Sequence, residues 1–253
     1  MVIGIITGAS SGLGTEYALQ AAKQCSGIDE FWLIARRTER LEALKEKLSG
    51  KKVRVFGYDL SDLDTLTAFE KLLSEERPDI GLLINNAGFG RLQNVADSAI
   101  ADNAGMVDVN VRALSVLTGI ALKHMKRGAV ILNVCSIASF VPTPRMTVYC
   151  STKAYVLSYT KALREELKPQ GINVSCVCPP PMSTEFMKVA SIEKGGSPAF
   201  DTLPRANPAK VAETSLRRAL KGKCVTTPMA LYKLYRFLSR IVPHNIFMKF
   251  TKC

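Results

Sequence analysis

The sequence predicts a single α/β domain with a doubly wound parallel sheet of about seven strands and an amphipathic helix at its C-terminal end. Three observations predict it. A chain of 253 residues can hold one complete core without a second domain. Short continuous apolar runs alternate with helically periodic segments almost from end to end, the pattern of buried parallel strands joined by crossover helices. The first apolar run passes into a glycine-rich turn that opens the first helical segment.

The runs fall at residues 2–7, 31–35, 53–57, 81–85, 129–135 and 173–178, with a shorter one at 224–226. Between them lie helical stripes such as Leu41, Leu44, Leu48 and Leu63, Leu66, Phe69, Leu73. Right-handed crossovers then wind helices onto both faces of the sheet. No repeat, low-complexity block or linker divides the chain. Residues 1–227 are expected to form the dinucleotide-binding and catalytic body, with 184–207 as a substrate lid, and 228–253 a basic extension of the same domain. In that extension Leu231, Leu234, Tyr235, Leu238, Ile241 and Val242 share one helical face, Lys233, Arg236 and Arg240 lie opposite, and Pro228 and Pro243 bound the segment. Three readings stay open: packing on its own domain or a partner subunit, lying on a membrane surface through 231–250, or capping an apolar substrate mouth.

Composition narrows the function classes. No apolar run approaches the roughly 20 residues of a membrane span, and the start lacks the basic and longer apolar regions of a cleavable signal, so a cytoplasmic protein is expected. Seven scattered cysteines include no CxxC pair, and His124 and His244 lie far apart, so no metal is expected. The net charge of +12 is uneven: residues 204–253 hold eleven Lys/Arg and one acid, Glu213. No nucleic-acid module accompanies that charge, which leaves an anionic surface or an acidic substrate as what it would attract.

The turn Thr7-Gly-Ala-Ser-Ser-Gly-Leu-Gly14 spaces its glycines at 8, 12 and 14. Glycines let backbone approach a pyrophosphate, and the helix that follows offers free N–H groups and a positive dipole end. Ser10 and Ser11 add hydroxyls. About 20 residues on, where a Rossmann-type fold would place an acid on the ribose 2′-hydroxyl, the strand ends Ala35-Arg36-Arg37. An acid would repel a 2′-phosphate and a guanidinium binds one, so the expected cofactor is NADP(H).

The reacting end is Tyr149-Cys-Ser-Thr-Lys153, which opens a helical segment with the stripe Val156, Tyr159, Leu163, Leu167. Residues i and i+4 share a helix face, so a Lys153 ammonium there is expected to favour the Tyr149 phenolate. Ser136 ends a strand thirteen residues upstream, at the same carboxyl edge of the sheet, within reach of one substrate oxygen.

In these motifs the chain resembles the short-chain dehydrogenase/reductase family from about residue 2 to residue 186. Carrying the resemblance are the Thr7–Gly14 turn, Asp59, Asn85-Asn-Ala-Gly88, Asn110, Ser136, Tyr149 with Lys153, and the stretch from Pro179 to Thr184. The resemblance implies that Tyr149 exchanges the proton, Ser136 polarises the carbonyl, Lys153 holds the nicotinamide ribose, and Asn110 anchors a water leading to solvent. It places Asp59 by the adenine and Asn86-Ala87-Gly88 along the adenosine ribose. The expected cofactor set is Gly8, Ser10, Ser11, Gly12, Leu13, Gly14, Arg36, Arg37, Asp59, Leu60, Asn86, Ala87, Gly88, Tyr149, Lys153, Pro179 and Thr184. Ser136, Tyr149 and Phe186 are expected to meet the substrate. The chain departs from the family at Pro179-Pro180-Pro181-Met182, where Pro-Gly is usual; a proline cannot copy a positive-φ glycine, so the loop is expected to run differently.

The implied reaction is NADP(H)-linked interconversion of a carbonyl and a secondary alcohol. Similar enzymes with an extended apolar C-terminus act on steroids or other bulky lipophiles, and the same is expected here. Reduction of a 3-oxoacyl thioester is the alternative, because the basic ending suits an acidic tail. A sensor or scaffold that binds NADP(H) without turnover would need the glycine turn and the arginines, but not Asn110, Ser136, Tyr149 and Lys153 together. Similar enzymes pair through the helical segments near 100–124 and 150–168, so a homodimer or homotetramer is expected.

Overall fold

The computed structural model describes residues 1–48, 50–192 and 202–248. Seven parallel strands form one sheet: β1 (Val2–Thr7), β2 (Glu30–Ala35), β3 (Lys52–Gly57), β4 (Asp79–Asn85), β5 (Val130–Val134), β6 (Asn173–Val177) and β7 (Val225–Thr226). Their spatial order is β3-β2-β1-β4-β5-β6-β7, so the winding direction reverses between β1 and β4. Ligands of doubly wound sheets bind in the crevice at that reversal. The expected doubly wound sheet is therefore present, including the short seventh strand.

Two helical layers cover it. On one face, α1 (Gly12–Gln24), α2 (Thr38–Lys47) and a later helix, Pro208–Leu220, share a core with Ile6, Leu33, Ile84 and Leu132. On the other lie α3 (Leu63–Glu76), α4 (Ile100–Val107), α5 (Leu114–Leu122) and α6 (Thr147–Leu167), closing over Ile5, Trp32, Leu83 and Ile131. The alternating inward residues of each strand supply both cores, which is why the strands read as unbroken apolar runs. Along α6 the stripe Val156, Leu163 and Leu167 is buried, so it serves the core rather than an interface.

Between α4 and α5 the helix widens into π geometry at Asp108–Ala113 without ending. Residues 100–122 thus make one helix long and apolar enough to cross a membrane by length and composition, although Asp102, Asp108 and Arg112 interrupt its apolar sequence. Here it lies against α6 and carries the buried polar groups Asn110 and Thr118. Such π turns recur at functional sites because they redirect one side chain without breaking the helix.

Past β6 come α7 (Glu185–Val189), α8 (Pro208–Leu220), α9 (Ala230–Leu238) and α10 (His244–Phe247). The middle of the expected lid, residues 193–201, lies outside the described residues, as do residues 249–253 of the expected extension. α9 has the expected amphipathic period, but its apolar face is divided: Leu231 and Tyr235 border the cavity while Leu234 and Leu238 turn to the surface. Tyr232 and Ser239 are buried, and the Tyr232 hydroxyl donates to the Pro204 carbonyl at 2.7 Å. Leu231, Leu234 and Ile241 are 48%, 54% and 63% exposed.

Candidate active site

The glycine turn follows β1 because no side chain fits there. Gly8 takes φ +65°, and a Cβ on it would lie 2.8 Å from the Ala87 Cα. A Cβ on Gly14 would strike the Gly8 carbonyl oxygen. The turn is braced from β4: Asn86 Nδ2 donates to the Thr7 and Gly8 carbonyls at 3.0 and 3.1 Å, and Thr7 Oγ1 accepts from the Asn86 and Ala87 amides. The Asn86 amide nitrogen is thus engaged with the turn, while Ala87 and Gly88 continue the wall of the cleft. Leu13 is buried in the core beneath the turn, and Leu60 is buried beside Asp59.

At the end of β2 the two arginines behave differently. Arg36 is largely exposed and reaches only Asp59, at 3.9 Å. Arg37 folds over the turn, where Nη2 donates to Ser10 Oγ at 3.3 Å and Ser11 Oγ at 3.0 Å. Asp59 is partly desolvated, which pushes its carboxyl up, but the Ser61 hydroxyl and amide at 2.6 and 2.9 Å outweigh this and hold it below the ordinary range.

β5 delivers Ser136, and the first turn of α6 delivers Tyr149 and Lys153, all three buried on one cavity. Burial raises the Tyr149 hydroxyl above its ordinary pKa, with the Ser136 side chain pulling the other way. The expectation that Lys153 lowers it is not met in this geometry. Lys153 Nζ donates to the Val134 carbonyl at 2.9 Å and stands 5.8 Å from the Tyr149 ring centre. Its own pKa is lowered by the same loss of water. Tyr149 is therefore held as the phenol.

Asn110 sits in the π turn and grips the loop after β4. Its Oδ1 accepts from the Phe89 amide at 3.0 Å, and Nδ2 donates to the Phe89 carbonyl at 2.8 Å and to Thr152 Oγ1 at 3.1 Å. Gly88 fits between Asn110 and Lys153; a Cβ there would lie 2.7 Å from Asn110 Oδ1.

The proline loop runs without a left-handed residue, so the missing glycine is not needed. Pro179 O accepts from the Ile137 amide at 3.1 Å, and Pro181 O from the Ala206 amide at 2.9 Å. Thr184 then faces Gly12 across the cleft, the Thr184 Cβ 3.3 Å from where a Gly12 Cβ would be. Phe186 packs on Tyr149, ring centres 5.6 Å apart.

The cavity these groups share has a volume of about 740 Å³ and runs from Arg37 to the C-terminal helices. Its outer walls include Met187 from the expected lid and Phe247 from the expected extension, together with residues that sequence reasoning missed: Thr143, Met146, Ile192 and Tyr232. No periodicity marks them, because they come from loops and short helices that meet only in the fold. Glu185, which reaches Arg37, was missed for the same reason. Among the described residues, no three His, Cys, Asp or Glu side chains are placed to hold a metal ion.

A glycine cradle against a free helix N-terminus, with Arg37, Ser10 and Ser11 at one end and Tyr149 at the other, fits an extended dinucleotide. The short chain dehydrogenase family model matches residues 3–194. A sulfoacetaldehyde reductase of Chromohalobacter salexigens is 36% identical over 213 residues, covering 82% of each chain. A 17-beta-hydroxysteroid dehydrogenase type 3 of Rattus norvegicus is 27% identical, covering 98% of this chain and 78% of its own. Among solved structures, a short-chain dehydrogenase from Sphingobium yanoikuyae in complex with NADPH superposes with a TM-score of 0.81 at 30% identity, over 95% of this chain and 93% of that one. With its sheet order, glycine turn and Ser136–Tyr149–Lys153 cavity, the chain belongs to the short-chain dehydrogenase/reductase family and is an oxidoreductase of CH–OH groups.

Proposed function

We propose that this enzyme uses NADP(H) to interconvert a ketone and a secondary alcohol on a bulky lipophilic substrate of the hydroxysteroid kind. The observation that carries the substrate class is the outer cavity, where Met146, Met187, Ile192, Tyr232 and Phe247 stand beside Tyr149 and Ser136. Apolar walls of that extent favour a large apolar ligand by about 25 cal/mol per Å² removed from water. The 17-beta-hydroxysteroid dehydrogenase relative and the NADPH-bound neighbour support the same reading.

When bound, the nicotinamide supplies or accepts the hydride. Ser136 orients and polarises the substrate oxygen, and the Tyr149 hydroxyl gives it a proton in reduction and takes it back in oxidation. Lys153 holds the nicotinamide ribose, and Asn110 positions the Gly88–Phe89 loop against it. Arg37, with Ser10 and Ser11, receives the 2′-phosphate. A side-by-side assay of hydroxysteroids, a 3-oxoacyl thioester and small aldehydes with both cofactors tests the substrate class. The highest kcat/KM is expected for a steroid with NADP(H); a large advantage for the thioester or a small aldehyde overturns it. Binding without cofactor consumption for every substrate would instead point to a sensor.

The exposed Leu234 and Leu238 of α9 and the basic residues around them support peripheral contact with an anionic membrane. No acid follows Glu213, and Lys233 and Arg240 are exposed on the same segment, while Arg236 packs over Phe140. Sedimentation with vesicles carrying anionic lipid is expected, weakened in Leu234→Glu and absent with neutral vesicles. For assembly, exposed Ile100, Val107 and Tyr155 on the helices of 100–122 and 147–167 support a homodimer or homotetramer. A light-scattering mass of one 27.6 kDa chain would count against it.

A further inference from the structure

Arg37 is already clamped on an anion supplied by the chain itself. Its Nη1 donates to Glu185 Oε1 and its Nη2 to Glu185 Oε2, both at 2.8 Å. Arg40 Nη1 adds contacts of 3.2 and 3.1 Å to the same two oxygens. Two guanidiniums and the Ser11 hydroxyl therefore surround one carboxylate, and Ser10 and Ser11 both accept from Arg37, at the end of the cavity away from Tyr149. The Arg37 hydrogen bond holds the Glu185 carboxyl at about 2, far below the ordinary glutamate value, so it stays charged throughout the neutral range. Glu185 is the first residue of α7 and lies 148 positions from Arg37 in sequence, so only the fold brings the pair together.

A carboxylate and a phosphate monoester ask for the same thing from this cluster. Both present planar pairs of anionic oxygens to a guanidinium fork and accept from hydroxyls. They cannot be held there at once, because two anions a few ångströms apart on one Arg repel each other in a partly desolvated cleft. NAD(H) lacks the phosphate and makes no such demand.

We propose that Glu185 occupies the seat of the cofactor 2′-phosphate and is a specificity-determining residue, an intramolecular competitor that NADP(H) must displace from Arg37. The proposal rests on the reading that NADP(H) is the cofactor and that Arg37 takes its phosphate. The apparent affinity for any ligand that needs the seat is reduced by the fraction of molecules in which Glu185 fills it. Ligands that leave the seat alone escape that reduction. Glu185 therefore narrows the gap between the two cofactors instead of widening it.

Glu185→Gln removes the charge while keeping size and the first helical position of α7. Binding of NADPH, NADH and adenosine 2′,5′-bisphosphate to the full-length protein is measured by calorimetry, with thermal unfolding as the check on folding. In Glu185→Gln, NADPH and the bisphosphate are expected to bind about five- to tenfold more tightly, with NADH changed less than about twofold, as competition for a phosphate seat requires. Adding Arg37→Ala is expected to erase that gain, since the competition has no object without the guanidinium. Glu185→Asp, which shortens the reach, is expected to fall between the parent and Glu185→Gln. Weaker NADPH binding in Glu185→Gln overturns the proposal, because Glu185 would then help to hold the cofactor. Equal gains for NADPH and NADH also overturn it. A parent enzyme that binds NADH as tightly as NADPH, with neither Glu185→Gln nor Arg37→Ala altering either, would overturn the cofactor reading itself. A parent that prefers NADPH and loses it in Arg37→Ala, yet is indifferent to Glu185→Gln, would remove only the role of Glu185.

Discussion

Tyr149→Phe lowers kcat by about 10²–10⁴-fold in either direction, the range for losing one positioned proton donor, while NADPH affinity stays nearly unchanged. The substitution keeps the ring that packs on Phe186 and on the backbone at Gly90, so the site keeps its shape. What disappears is one hydroxyl beside Ser136. The pH dependence follows from the raised pKa. Reduction uses the phenol, which persists up to that raised value, so kcat/KM for reduction is flat through neutral pH. Oxidation needs the phenolate and rises with pH over the same range. Stopped-flow measurement of single turnovers in both directions checks the pair, and full activity in Tyr149→Phe would remove this residue from the mechanism.

Arg37→Ala is expected to reduce kcat/KM for NADPH by about ten- to a hundredfold, the value of one charge-assisted phosphate contact of about 1.5–3 kcal/mol, with little change for NADH. Arg36→Ala is expected to do much less. The sequence names Arg36 with Arg37 beside it as the phosphate ligands. The expected effects run in the reverse order, because in the fold Arg36 is mostly solvent-exposed while Arg37 lies over Ser10 and Ser11. Steady-state kinetics with both cofactors decide it, and equal losses for NADPH and NADH in Arg37→Ala would show a general structural defect instead.

The reversal shows where the sequence was legible. Strands were legible because a sheet covered on both faces demands apolar runs, unbroken in the central β1, β2 and β4 and interrupted by Arg54 in the edge strand β3. Gly8 and Gly14 were legible because no side chain can occupy their backbone space. Tyr149 and Lys153 were legible because helix spacing fixes which residues share a turn. Their electrostatics were not, since the Val134 carbonyl that engages Lys153 comes from another strand. The divided apolar face of α9 escaped for a related reason. Period reveals that a helix has two faces, but the choice of face is made by Tyr232 and its distant partner Pro204. Glu185 escaped entirely, its meaning residing in a contact 148 residues away.

The run Pro179-Pro180-Pro181 gives one wall of the cavity a chemical polarity of its own. Three imide nitrogens in succession carry no hydrogen, so from Pro179 to Pro181 the backbone offers oxygens alone. Two of those oxygens already fasten the loop, to Ile137 and Ala206. A molecular edge lying along this wall finds acceptors and no donors, and an amide NH₂ meets that condition where a carboxylate does not. The same residues that removed the usual glycine have thus made an acceptor-only strip, which discriminates by hydrogen-bond direction before any side chain is consulted.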